Sequence, residues 1–209
     1  MIDSWLSQSK LKIAYERFVR KILLGRVSAN QLTILGLVIG LIAAFFIYLS
    51  KTILFEFELI IISSILIVLS FTMDTMDGAI ARAKGPTLFG GILDIFSDRL
   101  VEVILIITLV STDPFNLIWP GLFTLAAMVL CISMFLIVSI LSQEIENTKK
   151  AAKVIRYRKG FMERSETLIL LILTVILTPW RFYLLWLFAS LVFITALLRL
   201  KDAYVLFKI

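Results

Sequence analysis

The sequence has no histidine and a single cysteine, Cys131, inside an apolar run. The first absence excludes histidine-based triads and histidine-ligated zinc. The second excludes a disulfide framework and a thiolate metal site. Asp, Glu, Lys, Arg and Tyr are left to carry the chemistry, and hard oxygen ligands favour Mg, Mn or Ca over Zn. Gly/Pro-rich linkers, internal repeats and low-complexity segments are also missing, so residues 1–209 read as one domain. Residues 1–25 hold no uninterrupted apolar core and are not read as a signal peptide.

Apolar residues are what the sequence has in excess. They make up 60% of it, against roughly half in an ordinary globular domain. They fall in six blocks: Leu32–Leu49, Ile53–Met73, Gly91–Val110, Phe115–Leu141, Thr167–Leu177 and Phe182–Leu198. Blocks of roughly 20 apolar residues match a hydrocarbon core about 30 Å thick. The expected fold is all-α: an integral membrane bundle of six transmembrane helices over residues 31–200. Glu56 and Glu58 stand near the outer end of the second block and can snorkel to the interface. The fifth block is short, and Thr178-Pro179-Trp180-Arg181 breaks it from the sixth, so the pair reads as two spans or as one re-entrant hairpin. Residues 2–25 pattern as an amphipathic helix, with Leu11, Tyr15, Phe18 and Ile22 on one side and Lys10, Arg17, Arg20 and Lys21 largely off it. It is expected to lie in the membrane interface, the alternative being a solvated helix packed on the bundle.

Charge sets the orientation. Of the 21 Lys and Arg, all but Lys51 and Arg181 fall before the first span, in or beside the loops after the second and fourth, or in the tail. Both termini and those loops are therefore expected in the cytoplasm, in a multi-pass protein of the cell membrane. The net charge of +6 then needs no nucleic acid, because anionic lipid headgroups are the simpler partner.

The chemistry concentrates where the second span reaches that face. Met73-Asp74-Thr75-Met76-Asp77-Gly78-Ala79-Ile80-Ala81-Arg82 precedes a Gly85-Pro86 turn, and the third span opens Gly90-Gly91-Ile92-Leu93-Asp94-Ile95-Phe96-Ser97-Asp98-Arg99. Asp74 and Asp77 are three apart and Asp94 and Asp98 four apart, so on helices each pair projects from one face. Two neighbouring helix ends would aim four carboxylates at one point. A carboxylate at membrane depth costs a few kcal/mol and four repel one another, so divalent cations are expected. Four carboxylates can hold two Mg2+ or Mn2+ ions about 3.5–4 Å apart, a recurring device of phosphoryl chemistry. Gly78 and Ala81 remove bulk beyond Asp74, either to admit a flat group or to let helices pack closely. Arg82 can pair bidentately with a phosphate or with one of the aspartates.

This pattern resembles the signature of the CDP-alcohol phosphotransferases (the class I CDP-alcohol phosphatidyltransferases), D-x2-D-G-x2-A-R-x7/8-G-x3-D-x3-D. Asp74, Asp77, Gly78, Ala81, Arg82, Gly90, Asp94 and Asp98 supply every fixed position, with the shorter spacer. Ala29-Asn30-Gln31-Leu32-Thr33 resembles the family's Pro-Asn-x-Leu-Thr, with Ala in place of Pro. The resemblance implies a CDP-linked donor, an acceptor alcohol and release of CMP. Asp74, Asp77 and Asp94 would be metal ligands, and Asp98 both ligand and general base. Gly78 and Ala81 would line the cytidine pocket, with Asp74 and Gly90 beside it. Arg82, Asn30, Gln31 and Thr33 would hold the CDP moiety, with Thr87 a further candidate. A homodimer is expected on the same ground.

The donor is expected to be a CDP-lipid, whose tails stay in the bilayer while its headgroup reaches the metals. Arg156, Arg158 and Lys159, followed by Arg164 at the entrance to the fifth span, would suit a phosphorylated acceptor such as inositol phosphate or glycerol 3-phosphate; positive-inside bias alone also explains them. The Gly160-x-Met162-Glu163-Arg164 run resembles archaetidylinositol phosphate synthases and their relatives. Glu102, one turn past Asp98, either supports the site or pairs with Arg99. Two other readings stand beside this one. One is a transferase joining soluble CDP-inositol to inositol phosphate to make a compatible solute. The other is a cation-coupled transporter, since intramembrane acids often mark ion paths.

Overall fold

The structure is a computed structural model that describes residues 15, 17, 19, 21–23, 25–51, 55–148 and 164–207. Among these the chain is helical, with no strand. The helices are α1 (Ala29–Ser50), α2 (Glu56–Lys84), α3 (Leu88–Thr112), α4 (Pro114–Thr148), α5 (Arg164–Ile176) and α6 (Arg181–Phe207), with a 3-10 turn at Thr178–Trp180 before α6. Each apolar block falls almost wholly within one of them. By length and composition α1, α2, α4 (to Leu141) and the stretch Thr178–Val205 are long and apolar enough to cross a membrane. Two helices depart from that pattern for visible reasons. α3 carries Asp94, Asp98, Arg99 and Glu102, and α5 has only 13 residues.

Local chemistry sets the helix ends. α1 starts with a capping box: Ser28 Oγ accepts from the Gln31 amide (3.2 Å), and Gln31 Oε1 accepts from the Ser28 amide (2.9 Å). α2 stops at Gly85, whose φ of +96° suits glycine, and Pro86 follows. The Thr87 hydroxyl then caps α3 by accepting from the Gly90 amide at 3.0 Å. Arg181 closes α5. Its buried guanidinium donates to the carbonyls of Thr174 (3.2 Å) and Val175 (3.0 Å) and to Thr112 Oγ1 of α3 (3.0 Å). It thereby serves carbonyls that the end of a helix leaves open.

α1 packs mainly on α2 and α3, and α4 on α6. Small residues let α1 approach closely. Ser70 Oγ of α2 donates to the Gly36 carbonyl at 2.7 Å, and Ser63 Oγ to the Ala43 carbonyl at 2.8 Å. A Cβ at Gly40 would stand 2.7 Å from both Val101 methyls of α3. Gly40→Val is therefore expected to push α3 off α1 and to cost about 1–3 kcal/mol. A clear fall in the unfolding midpoint of the purified protein checks this.

Helical residues before α1 seat Val19, with Tyr15 and Leu23 near it, against Leu32, Ala79 and Ile80. The inward face thus runs through Tyr15, Val19 and Leu23, while Ile22 is 41% exposed. Leu11 and Phe18 lie outside the described residues. The Tyr15 hydroxyl bonds Thr75 Oγ1 at 2.8 Å, which ties this segment to the helix that carries Asp74 and Asp77.

Candidate metal and nucleotide site

α2 has 29 residues, about 43 Å at 1.5 Å per residue, which exceeds a hydrocarbon core of about 30 Å. Asp74 lies about 27 Å along it. The Gly85-Pro86 turn links α2 to α3, and α1 packs on both, so that Asp94 and Asp98 of α3 meet Asp74 of α2. The nearest carboxylate oxygens of Asp74, Asp94 and Asp98 all lie within 4.8 Å of one another. All three residues are half-buried, and Asp94 Oδ1 is buried with no hydrogen-bond donor. Three clustered carboxylates with a buried, donor-free oxygen suit a hard divalent cation.

Asp77 stands beside this group and is held differently. It is buried and accepts a hydrogen bond from Thr33 Oγ1 of α1, which also lies 3.1 Å from the Ala29 carbonyl. Thr33 therefore fixes Asp77, linking the Asn-x-Leu-Thr run to the aspartate helix.

A cavity of about 400 Å³ opens next to the aspartates, within the range of roughly 300–1,000 Å³ common for small-ligand sites. Asp77, Gly78, Ala81 and Arg82 of α2 form one wall, and Thr87, Gly90 and Asp94 of the α3 side another. Asn30 and Thr33 of α1 close it. Gly90 fits tightly, since a Cβ there would come to 2.8 Å from Thr87 Oγ1 and 3.0 Å from Asn30 Oδ1. Gly78 is looser, its Cβ position meeting only Arg82 Nη1 at 3.2 Å. Gly78→Leu is thus expected to keep the fold and fill the cavity. Binding of a cytidine nucleotide by the purified protein should weaken about tenfold or more while the unfolding midpoint stays unchanged.

The structure brings together the eight motif positions with Asn30, Thr33 and Thr87. Gln31 is not among the lining residues; its side chain is engaged in the capping box. Arg164 opens α5, and Arg156, Arg158 and Lys159 lie outside the described residues. Glu102 is buried and ion-paired to Arg99, whose guanidinium also lies 3.9 Å from Asp98 Oδ2. Ser28 and Lys84 line the cavity without having been singled out. Lys84 has a signal in the sequence, its place two residues past Arg82. It donates to the Val27 carbonyl at 3.2 Å.

Residues 26–198 match the family described as CDP-alcohol phosphatidyltransferase. The chain belongs to this family. Relatives of this CDP-alcohol phosphatidyltransferase include the archaetidylinositol phosphate synthase of Pyrococcus horikoshii, 36% identical over 94 residues. That match covers 44% of this chain and 46% of the relative, so this likeness spans about half of either protein. The inner membrane protein YnjF of Escherichia coli K12 is 27% identical over 210 residues, covering 100% of this chain and 98% of its own. The fold is shared with the phosphatidylinositol phosphate synthase of Mycobacterium tuberculosis. The form with CDP-DAG bound superposes with a TM-score of 0.68 at 21% identity, covering 90% of this chain and 92% of that one. The form in complex with manganese and citrate gives 0.70 at 20% identity, covering 90% and 88%.

Proposed function

We propose that this protein transfers a phosphatidyl-type group from a CDP-linked lipid to a phosphorylated alcohol and releases CMP. The observation that carries the reading is the meeting of Asp74, Asp94 and Asp98 beside the cavity lined by Gly78, Ala81 and Arg82. A nucleotide in that cavity would present its diphosphate to the carboxylate cluster, with Arg82 and Lys84 at hand for phosphate oxygens. Asp74, Asp94 and Asp98 would hold a first divalent ion, Mg2+ or Mn2+, and Asp77 would help to hold a second. Ions held there would supply charge neutralisation for the diphosphate and for the departing CMP. Asp98 takes the acceptor's hydroxyl proton as the acceptor oxygen bonds to the phosphorus distal to cytidine and the bond to CMP breaks.

A lipid donor fits the surroundings. Leu88, Phe89, Ile92 and Phe96 of α3 are exposed beside the site and would meet acyl or ether chains in the bilayer. For the acceptor, support comes from the archaeal and mycobacterial relatives, both named as synthases of inositol phosphate lipids. The basic run Arg156, Arg158, Lys159 and Arg164 would bind its phosphate. We further read the protein as a six-span homodimer. Both termini and the site face the cytoplasm, and the segment before α1 lies along the interface. The test is a screen of acceptor alcohols against one CDP-lipid, read out as CMP. Stimulation by inositol phosphate or glycerol 3-phosphate is expected. Equal or greater stimulation by unphosphorylated inositol and glycerol would overturn the acceptor class.

A further inference from the structure

Below the aspartates, toward the middle of the bundle, lies a second, small cavity of about 20 Å³. Asp74, Ser97 and Asp98 line it, with Gly36, Phe71 and Val101 among its other lining residues. On α3, Asp94, Ser97, Asp98 and Val101 recur at helical spacing, so Ser97 shares a face with two of the clustered carboxylates. Ser97 is 4% exposed, and its Oγ has no hydrogen-bond partner.

That lack is out of character for this chain. Buried hydroxyls in apolar helices normally bond back to a carbonyl three or four residues earlier. Ser64 reaches the Ile60 carbonyl (2.8 Å), Thr174 that of Leu170 (2.7 Å) and Thr195 that of Leu191 (2.8 Å). Ser63 and Ser70 instead bond carbonyls of a neighbouring helix. Among the described buried serines and threonines, Ser97 alone does neither. A buried hydroxyl left unsatisfied costs about 1–3 kcal/mol, and a polar cavity above about 10–15 Å³ takes up a water that finds two to four polar partners. Here the partners are the Ser97 hydroxyl and the Asp74 and Asp98 carboxylates.

We propose that Ser97 anchors one buried water beneath the aspartate cluster, and that this water braces Asp74 and Asp98 in the geometry that receives a divalent ion. Ser97 is then a positioning residue, acting through the water. This rests on the metal reading of the cluster, and its consequence is an effect on metal affinity rather than on folding. Partners one step removed from a metal typically change its affinity about 10–100-fold when lost.

The experiment uses the full-length purified protein and Mn2+ alone, with free ion measured by electron paramagnetic resonance. Ser97→Ala is expected to bind Mn2+ about tenfold more weakly, with the metal-free unfolding midpoint unchanged. Equal affinity in the two proteins would overturn the inference and leave the metal site standing. No Mn2+ binding by the wild type would bring down the metal reading and this inference together. An experimental density map of the wild type at a resolution that shows waters is the second measurement. It should show one peak within hydrogen-bond distance of Ser97 Oγ, and a dry cavity would contradict the proposal even if the variant does not fold.

Discussion

Asp98→Asn is expected to lower turnover about a thousandfold or more while leaving binding of a cytidine nucleotide within a few-fold of wild type. Asparagine keeps the size of the side chain but cannot take a proton from the acceptor. General-base assistance alone is worth about 10²–10⁴-fold, and a thousandfold corresponds to about 4 kcal/mol of barrier. Asp98 also offers one of the clustered carboxylate oxygens, so the loss should fall at the upper end of that range. Nucleotide affinity should persist because Asp98 does not line the 400 Å³ cavity, whereas Asp94 and Asp77 do. Single-turnover CMP release together with equilibrium binding separates the two effects. Near-normal CMP release by this variant would remove Asp98 from the role of base.

Removal of divalent ions is expected to have an effect as large. The carboxylates of Asp74, Asp94 and Asp98 crowd within 4.8 Å, and without a cation their charge would repel the diphosphate they are meant to receive. Excess chelator should therefore take CMP release below about 1% of its starting rate, since charge neutralisation by metal contributes several kcal/mol to such transfers. Mg2+ or Mn2+ should restore it. Asp94→Ala should need a much higher ion concentration for the same recovery, because Asp94 contributes a buried oxygen that has no donor within the protein. Full activity in excess chelator would sink the metal reading.

The aspartate pairs were legible in the sequence because each fixed position is a charge or a gap in an otherwise apolar helix, where chance placement is costly. The turn at Gly85-Pro86 and the meeting of Asp74 with Asp94 and Asp98 followed from the same residues. The bond from Thr33 to Asp77 was not legible. It joins residues 44 apart, and no helical periodicity reports a contact between different helices. Gln31 shows the reverse case. Ser28-x-x-Gln31 carries the capping-box spacing, and the same glutamine falls inside the Asn-x-Leu-Thr run, so the sequence alone does not separate the local role from a nucleotide contact. In the segment before α1 the pattern sets Tyr15 and Ile22 on one apolar side, and among its described residues Val19 is buried while Ile22 is 41% exposed. Apolar residues there occupy more than one face, so periodicity alone does not choose between them. Ser97 gave no signal, because a serine in a membrane helix is ordinary until its hydroxyl is found without a carbonyl.

On this mechanism the aspartate cluster and its cavity act together on a CDP-linked lipid. The most direct measurement supplies the purified protein, in bilayers with Mn2+ and inositol phosphate, with labelled CDP-diacylglycerol or with labelled CDP-inositol. CMP and a new phospholipid in equal amounts from the lipid donor alone are the expected result. CMP release from the soluble donor only, or cation flux across the bilayer without metal-dependent CMP release, would contradict it.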